Sequence, residues 1–256
     1  MKIMERICLV GSSRFGLSNP FDCSVYLLDG GSELLLIDAG AGVDIQPILH
    51  NIETDGYDPE DISTIIVTHS HADHGGGCRD FKEKVGCNIT VPEGDRMVIE
   101  GQVPEMGLEQ AKHSGIYPAT YDYPHVPVDR VYQDGERLKF GDITLHAIRV
   151  AGHHPHLMCL LLEGEDRRIL FSSDAVFYGG SISLLNAPGC SLDDSRRDIH
   201  KLASLDVDVL LPGHGIFVLN YGQDHINRAI AYLEGMKVPP NFIDLCPKII
   251  PEGYAR

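Results

Sequence analysis

His69, His71, Asp73 and His74 fall within one hexapeptide, His69-Ser70-His71-Ala72-Asp73-His74, of the form H-x-H-x-D-H. Imidazole and carboxylate together suit zinc, iron or manganese better than calcium or magnesium, which prefer all-oxygen surroundings. In an extended segment alternate side chains project to the same side, so His69, His71 and Asp73 share a parity and His74 falls opposite. One tetrahedral ion has no use for a donor displaced in that way, and the pattern therefore points to two. The competing reading is a solvated, histidine-rich loop in a chain that carries 13 histidines.

The elements around the hexapeptide argue for the first reading. Thr64-Ile65-Ile66-Val67 is a short β-branched run and predicts a buried strand. Gly75-Gly76-Gly77 suits a tight turn where backbone lies close to a neighbour. The donors thus leave a strand end on a loop, where α/β folds place their chemistry. The pattern recurs at three later strand ends. Residues 143–150 lead into Ala151-Gly152-His153-His154-Pro155-His156, residues 168–172 into Ser173-Asp174, and residues 207–211 into Pro212-Gly213-His214-Gly215. Each alone reads as a hydrogen-bonded loop residue or a turn cap. Together, after a complete H-x-H-x-D-H, they read as a ligand set.

Strands are expected over 3–10, 24–28, 34–37, 64–67, 88–91, 137–140, 143–150, 158–163, 168–172 and 207–211. Asp29-Gly30-Gly31-Ser32 is a hairpin turn signal. Helices are expected over 43–51, 79–85, from Ser191 to about Leu205, and 222–236. Residues 92–133 are irregular, with Pro104, Pro118, Pro124 and Pro127 between tyrosines, as lids and binding loops often are. No internal repeat or low-complexity linker interrupts the 256 residues, which predict one domain with an irregular segment at about 92–133.

With these residues in view, the chain resembles the metallo-β-lactamase-fold metallohydrolases, in the branch of glyoxalase II and the lactonases. The resemblance runs from about residue 22 to 235 and includes the opening hairpin that closes in Leu36-Ile37-Asp38-Ala39-Gly40. It implies an α/β fold, the four-layer αββα sandwich, with two divalent ions, zinc first and iron or manganese as alternatives. By position, His69, His71 and His153 would hold one ion, Asp73, His74 and His214 the other, and Asp174 would bridge. The segment after Gly152 is a residue shorter than the usual one, which leaves the register among His153, His154 and His156 open; His153 is taken as the ligand and His156 as a neighbour of the site. Asp38 is expected outside the ligand set, fixing a ligand histidine by a hydrogen bond.

The implied reaction is attack of a hydroxide held by two metals on an ester-like bond, with Asp73 orienting the nucleophile and passing on its proton. No G-x-S-x-G nucleophile elbow competes with it. The favoured substrate is a small-molecule thioester, ester or lactone. Residues 171–177 resemble the bridging-aspartate region of hydroxyacylglutathione hydrolases, yet only Lys248 and Arg256 are cationic near the C-terminus, where those enzymes carry a basic cluster. Phe177 stands where lactonases often have tyrosine, with Tyr178 beside it. Arg14 and Phe15, on the loop after the first strand, and Tyr117, Tyr121 and Tyr123 are candidate substrate contacts, along with His156, Phe177 and Tyr178. The alternatives are a persulfide dioxygenase using a single iron, and a phosphodiesterase.

Composition narrows the partners. A net charge of −16 without a basic cluster disfavours nucleic acid. No apolar run is long enough to span a bilayer and no signal-peptide core precedes the first strand, so neither membrane association nor export is expected. Seven cysteines, irregularly spaced and without C-x-x-C, read as reduced thiols of a cytoplasmic protein. A homo-oligomer is compatible with all of this.

Overall fold

Apolar residues fill the central strands of the first sheet because they are buried on both faces: Val25 to Leu28 and Leu34 to Ile37 are buried at every position. The computed structural model describes residues 1–163 and 166–245; Cys246, Lys248 and Arg256 lie outside them. The described residues divide into two compact units, Met1–Tyr132 with Phe140–Asp142, and Gln133–Lys139 with Ile143–Leu245.

The first unit holds a seven-stranded sheet whose spatial order follows the chain. Its strands are β1 (Lys2–Met4), β2 (Ile7–Gly11), β3 (Val25–Asp29), β4 (Leu34–Ile37), β5 (Ile62–Ile66), β6 (Asn88–Pro92) and β7 (Arg130–Tyr132). The single strand expected over 3–10 is instead a hairpin, because the chain turns at Glu5-Arg6 and Met4 pairs with Ile7. The Asp29-Gly30-Gly31-Ser32 turn joins antiparallel β3 and β4, with Asp29 opposite Leu34. From β4 onward the pairing is parallel. Parallel neighbours need crossovers, and those crossovers carry the helices: α1 (Gln46–Thr54), then α2 (Ala72–Gly75) with α3 (Cys78–Val85), then α4 (Arg96–Ile99) with α5 (Leu108–His113). Ile48, Leu49 and Ile52 of α1 and Phe81 of α3 join Leu27, Leu36, Ile65 and Ile89 of the strands in one core.

The second unit is built on a five-stranded sheet in the order β12-β11-β10-β9-β8. These are β8 (Arg137–Phe140), β9 (Ile143–Arg149), β10 (Met158–Glu163), β11 (Arg168–Ser173) and β12 (Val209–Pro212). β9, β10 and β11 pair antiparallel, and β11 with β12 parallel. Helix α6 (Leu192–Asp198) starts where expected, with the Ser191 side chain accepting from the Asp194 amide. It passes into a 3₁₀ turn over Ile199–Leu202 rather than running on to Leu205. Helix α7 (Gly222–Glu234) and the short α8 (Phe242–Leu245) follow. Ile199, Leu202, Ile226 and Leu233 pack with Leu161, Leu170 and Leu210 as this unit's core. Among the described residues no helix is long and apolar enough to cross a membrane.

Candidate metal centre

In the first unit the site grows from the carboxyl ends of β4 and β5. Asp38, just past β4, takes a left-handed backbone at φ 62°, which non-glycine residues adopt at a cost. Three bonds hold it there: it accepts from the Thr68 amide at 2.7 Å, the Thr68 hydroxyl at 2.9 Å and His74 Nδ1 at 2.8 Å. A buried His74 that donates Nδ1–H to a carboxylate presents Nε2 as its basic nitrogen. His69 has its Nδ1 3.2 Å from the Thr68 hydroxyl and its Nε2 3.0 Å from His71 Nδ1. Two ring nitrogens turned toward one another suit a cation-binding pair when neither carries a proton.

The extended parity expected across the hexapeptide holds for His69 and His71 only. His71 is the last extended residue, at φ −58° and ψ 148°, and its carbonyl accepts from the amides of His74 and Gly75 at 3.0 Å each. Asp73 and His74 therefore project from the helical turn α2, and Asp73 Oδ2 stands 4.0 Å from His74 Nε2. The three glycines answer to close neighbours. A Cβ on Gly77 would lie 2.1 Å from the Ala39 carbonyl oxygen, and one on Gly75 2.3 Å from the Tyr123 hydroxyl.

Two carboxylates that the sequence did not single out complete this half. Asp95, fully buried, accepts from the Ser70 amide and hydroxyl at 3.1 Å each. Burial pushes its carboxyl up to about 7 against the opposing pull of those two bonds. Glu105 Oε1 lies 3.8 Å from His71 Nε2, and its side chain is 4% exposed. Burial first, then the nearby Asp73 charge, pushes its carboxyl up to about 8, with the Leu108 backbone amide opposing. Both sit in the irregular stretch 92–133, where no spacing marks a residue as near the site.

The second unit contributes a compact triad of its own. Asp174 follows Ser173, itself left-handed at φ 47°. Its Oδ2 is 3.4 Å from His153 Nε2 and 3.5 Å from His214 Nε2. The His153 ring is turned by its Nδ1, 3.2 Å from the Ser183 carbonyl. Gly152 precedes it at φ 143°, where a Cβ would lie 2.0 Å from Ser195 Oγ. Its carbonyl accepts from the Ser191 amide at 2.7 Å, so the start of α6 fixes the turn. The ring that meets Asp174 is thus that of His153. His154 is buried and accepts from the His156 amide at 3.2 Å, and the two rings meet edge-on. His214 is set by the Gly213 amide, which donates to the Ser173 carbonyl at 2.8 Å, and its ring stacks on Phe242.

The remaining sequence-selected residues are distributed as follows. Tyr117, Tyr121 and Tyr123 are buried in the first unit's core, with Tyr117 stacked between Phe21 and Tyr121 and the Tyr121 hydroxyl donating to the Ala41 carbonyl at 2.8 Å. Arg14 and Phe15 lie on the loop between β2 and β3, Phe15 exposed. In the second unit Phe177 is buried and stacked on Phe242, while Tyr178 is exposed and tilts against His225. Burial, with Arg149 adding, lowers the pKa of the half-buried His156.

The donor chemistry fits divalent cations of borderline softness: imidazole nitrogens and carboxylates, with His69, His74 and His153 each oriented through its other nitrogen.

A family model described as the metallo-beta-lactamase superfamily matches residues 18–214. The chain is 27% identical over 222 residues to acyl-coenzyme A thioesterase MBLAC2 of Gallus gallus, covering 80% of this chain and 78% of that protein. It is 26% identical over 205 residues to atrochrysone carboxyl ACP thioesterase of Aspergillus fumigatus, covering 78% of this chain and 53%, about half, of that protein. Among solved structures, a metallo-beta-lactamase of Cronobacter sakazakii superposes with a TM-score of 0.71 at 24% identity, over 91% of this chain and 94% of that one. The subclass B3 metallo-beta-lactamase BJP-1 of Bradyrhizobium japonicum gives 0.68 at 24% identity, over 91% and 90%. These likenesses show the fold class expected from the sequence.

Proposed function

This chain belongs to the metallo-beta-lactamase superfamily and is a hydrolase, and on that premise we propose that it cleaves a small-molecule thioester at a centre of two divalent cations, zinc first. His69, His71 and His153 would hold one cation and Asp73, His74 and His214 the other, with Asp174 a further ligand. Cations bound there supply Lewis acidity, polarising the substrate carbonyl and making water nucleophilic at neutral pH. The observation that supports this reading is the Asp174 carboxylate with His153 Nε2 and His214 Nε2 both within 3.5 Å of its Oδ2, alongside the complete hexapeptide motif.

The protein residues have separable tasks. Asp73, its side chain 17% exposed and so reachable by water, takes the proton released as water adds to the carbonyl carbon and returns it to the departing sulfur. Asp38 and the Ser183 carbonyl hold His74 and His153 in the tautomer that offers Nε2. The products are a carboxylate and a thiol. The names of two relatives, one acting on acyl-coenzyme A and one on an acyl carrier, support a thioester over a lactone. The Phe177–Phe242 stack beside His214 supports an apolar acyl group. The six cysteine thiols among the described residues, five of them buried, support a reducing, cytoplasmic setting.

A panel of acyl-coenzyme A thioesters, lactones, phosphodiesters and β-lactams tests the substrate. Thioester turnover should exceed the rest by at least ~10-fold, and His71→Ala should abolish it together with metal content. Preferred lactone or phosphodiester turnover would overturn the assignment.

A further inference from the structure

We infer that Glu105 is a positioning residue for His71: its carboxyl oxygen accepts a hydrogen bond from His71 Nε2–H, and so keeps Nδ1 as the nitrogen available to a cation. The inference rests on the proposed reading of His71 as a metal ligand.

An imidazole has two nitrogens on opposite sides of the ring, and only one can face a given ion. His71 Nδ1 is the one turned toward His69 Nε2, at 3.0 Å. Its Nε2 is then the outer nitrogen, and the group beside it is Glu105 Oε1 at 3.8 Å. A neutral histidine with Nδ1 basic carries its proton on Nε2. That proton needs an acceptor in a site where the His71 side chain is only 11% exposed. The other ordered rings solve the same problem locally. His74 uses the Asp38 carboxylate at 2.8 Å, His153 the Ser183 carbonyl at 3.2 Å, and His69 the Thr68 hydroxyl at 3.2 Å. Glu105 is the corresponding group for His71.

One oxygen of the Glu105 carboxyl is left without a partner. Its side chain is 4% exposed, and Oε2 is buried with no hydrogen-bond partner among the described residues. Oε1, on the same carboxyl, is the oxygen that faces the ring. Closing 3.8 Å to hydrogen-bond distance takes a shift of about 1 Å. Glu105 is not a direct ligand of the same cation, because it stands on the far side of the ring.

The geometry also explains how a stretch without strong periodicity is held. Residues 92–133 are anchored to the motif loop at several points within the first unit. Asp95 accepts from Ser70. Tyr121 donates to the Ala41 carbonyl. The Tyr123 hydroxyl fills the space above Gly75. Glu105 reaches His71. Cation binding at His71 and the seating of this stretch are therefore coupled through one carboxylate.

The test uses the full chain, stripped of metal and titrated with zinc, and separately with cobalt, against a chromophoric chelator. Glu105→Ala should weaken the tighter binding step by ~10–100-fold and shift the cobalt ligand-field bands. Glu105→Gln, whose amide oxygen still accepts from Nε2–H, should stay within a few-fold of the parent protein. Glu109→Ala, which removes an exposed carboxylate paired with Lys112 in the same stretch, should change nothing. Parent-like affinity in Glu105→Ala, or a Glu105→Gln protein as weak as the alanine variant, would overturn the inference. Failure of the parent chain to bind either metal would instead overturn the site reading beneath it.

Discussion

Asp38 shows how much of this site is bought at single residues. Its left-handed backbone, φ 62°, costs of the order of 1 kcal/mol, and three hydrogen bonds, two from Thr68 and one from His74, offset it. Asp38→Ala frees the His74 ring to rotate and should lower metal affinity by ~10–100-fold, with Asp38→Asn intermediate, read by chelator competition. A second residue-scale consequence concerns pH. Asp95 has a carboxyl raised by burial from 3.8 to about 7. A raised carboxyl keeps its proton longer in the folded chain than in the unfolded one, so its contribution is intact at low pH and is lost as pH climbs from about 4 through about 7. Metal-free protein should therefore lose urea resistance across that window. Asp95→Asn, which keeps one acceptor for Ser70 and cannot ionise, should remove most of that loss; an unchanged pH slope would contradict the assignment.

At the scale of elements, loop backbone rather than side-chain packing sets where the donors stand. The motif loop is pressed against residues 39–41, and Gly77 marks the contact: a Cβ there would meet the Ala39 carbonyl oxygen at 2.1 Å. Gly77→Ala should cost upwards of ~3 kcal/mol in denaturant unfolding. Gly86→Ala, left-handed at φ 77° but with nothing within 4 Å, should cost about 1 kcal/mol. Strands were the legible elements, because uninterrupted burial writes itself as runs such as Leu34 to Ile37. The break at Glu5-Arg6 was not, since a two-residue turn between apolar stretches carries no glycine or proline. β7 was missed for the same kind of reason, having only the residues Arg130–Tyr132 to show a pattern. The donors of the motif could be read from their spacing, but Glu105 and Asp95 could not, because what brings them to the loop is tertiary packing of a stretch without periodicity. The change from extended to helical backbone at Ala72 was likewise hidden: Ala72, Asp73 and His74 fit either state, and the His71 carbonyl decides it by capping the turn.

The whole molecule adds charge and chemistry at a distance. A net charge of −16 repels an anionic substrate carrier over a Debye length of about 8 Å at physiological salt. If the leaving group is a phosphate-bearing thiol such as coenzyme A, KM should fall several-fold between 20 and ~300 mM salt, while an uncharged thioester of the same acyl group should show no such trend. Equal salt responses for the two substrates would remove the phosphate-bearing carrier from the account. The central claim, that the proposed donors hold a pair of cations which the hydrolysis requires, is tested most directly by elemental analysis of the purified chain alongside its thioesterase rate. Two divalent ions per chain are expected, with turnover lost on chelation and restored by zinc. A single iron per chain with oxygen uptake, or thioester cleavage that persists in metal-free protein, would contradict it.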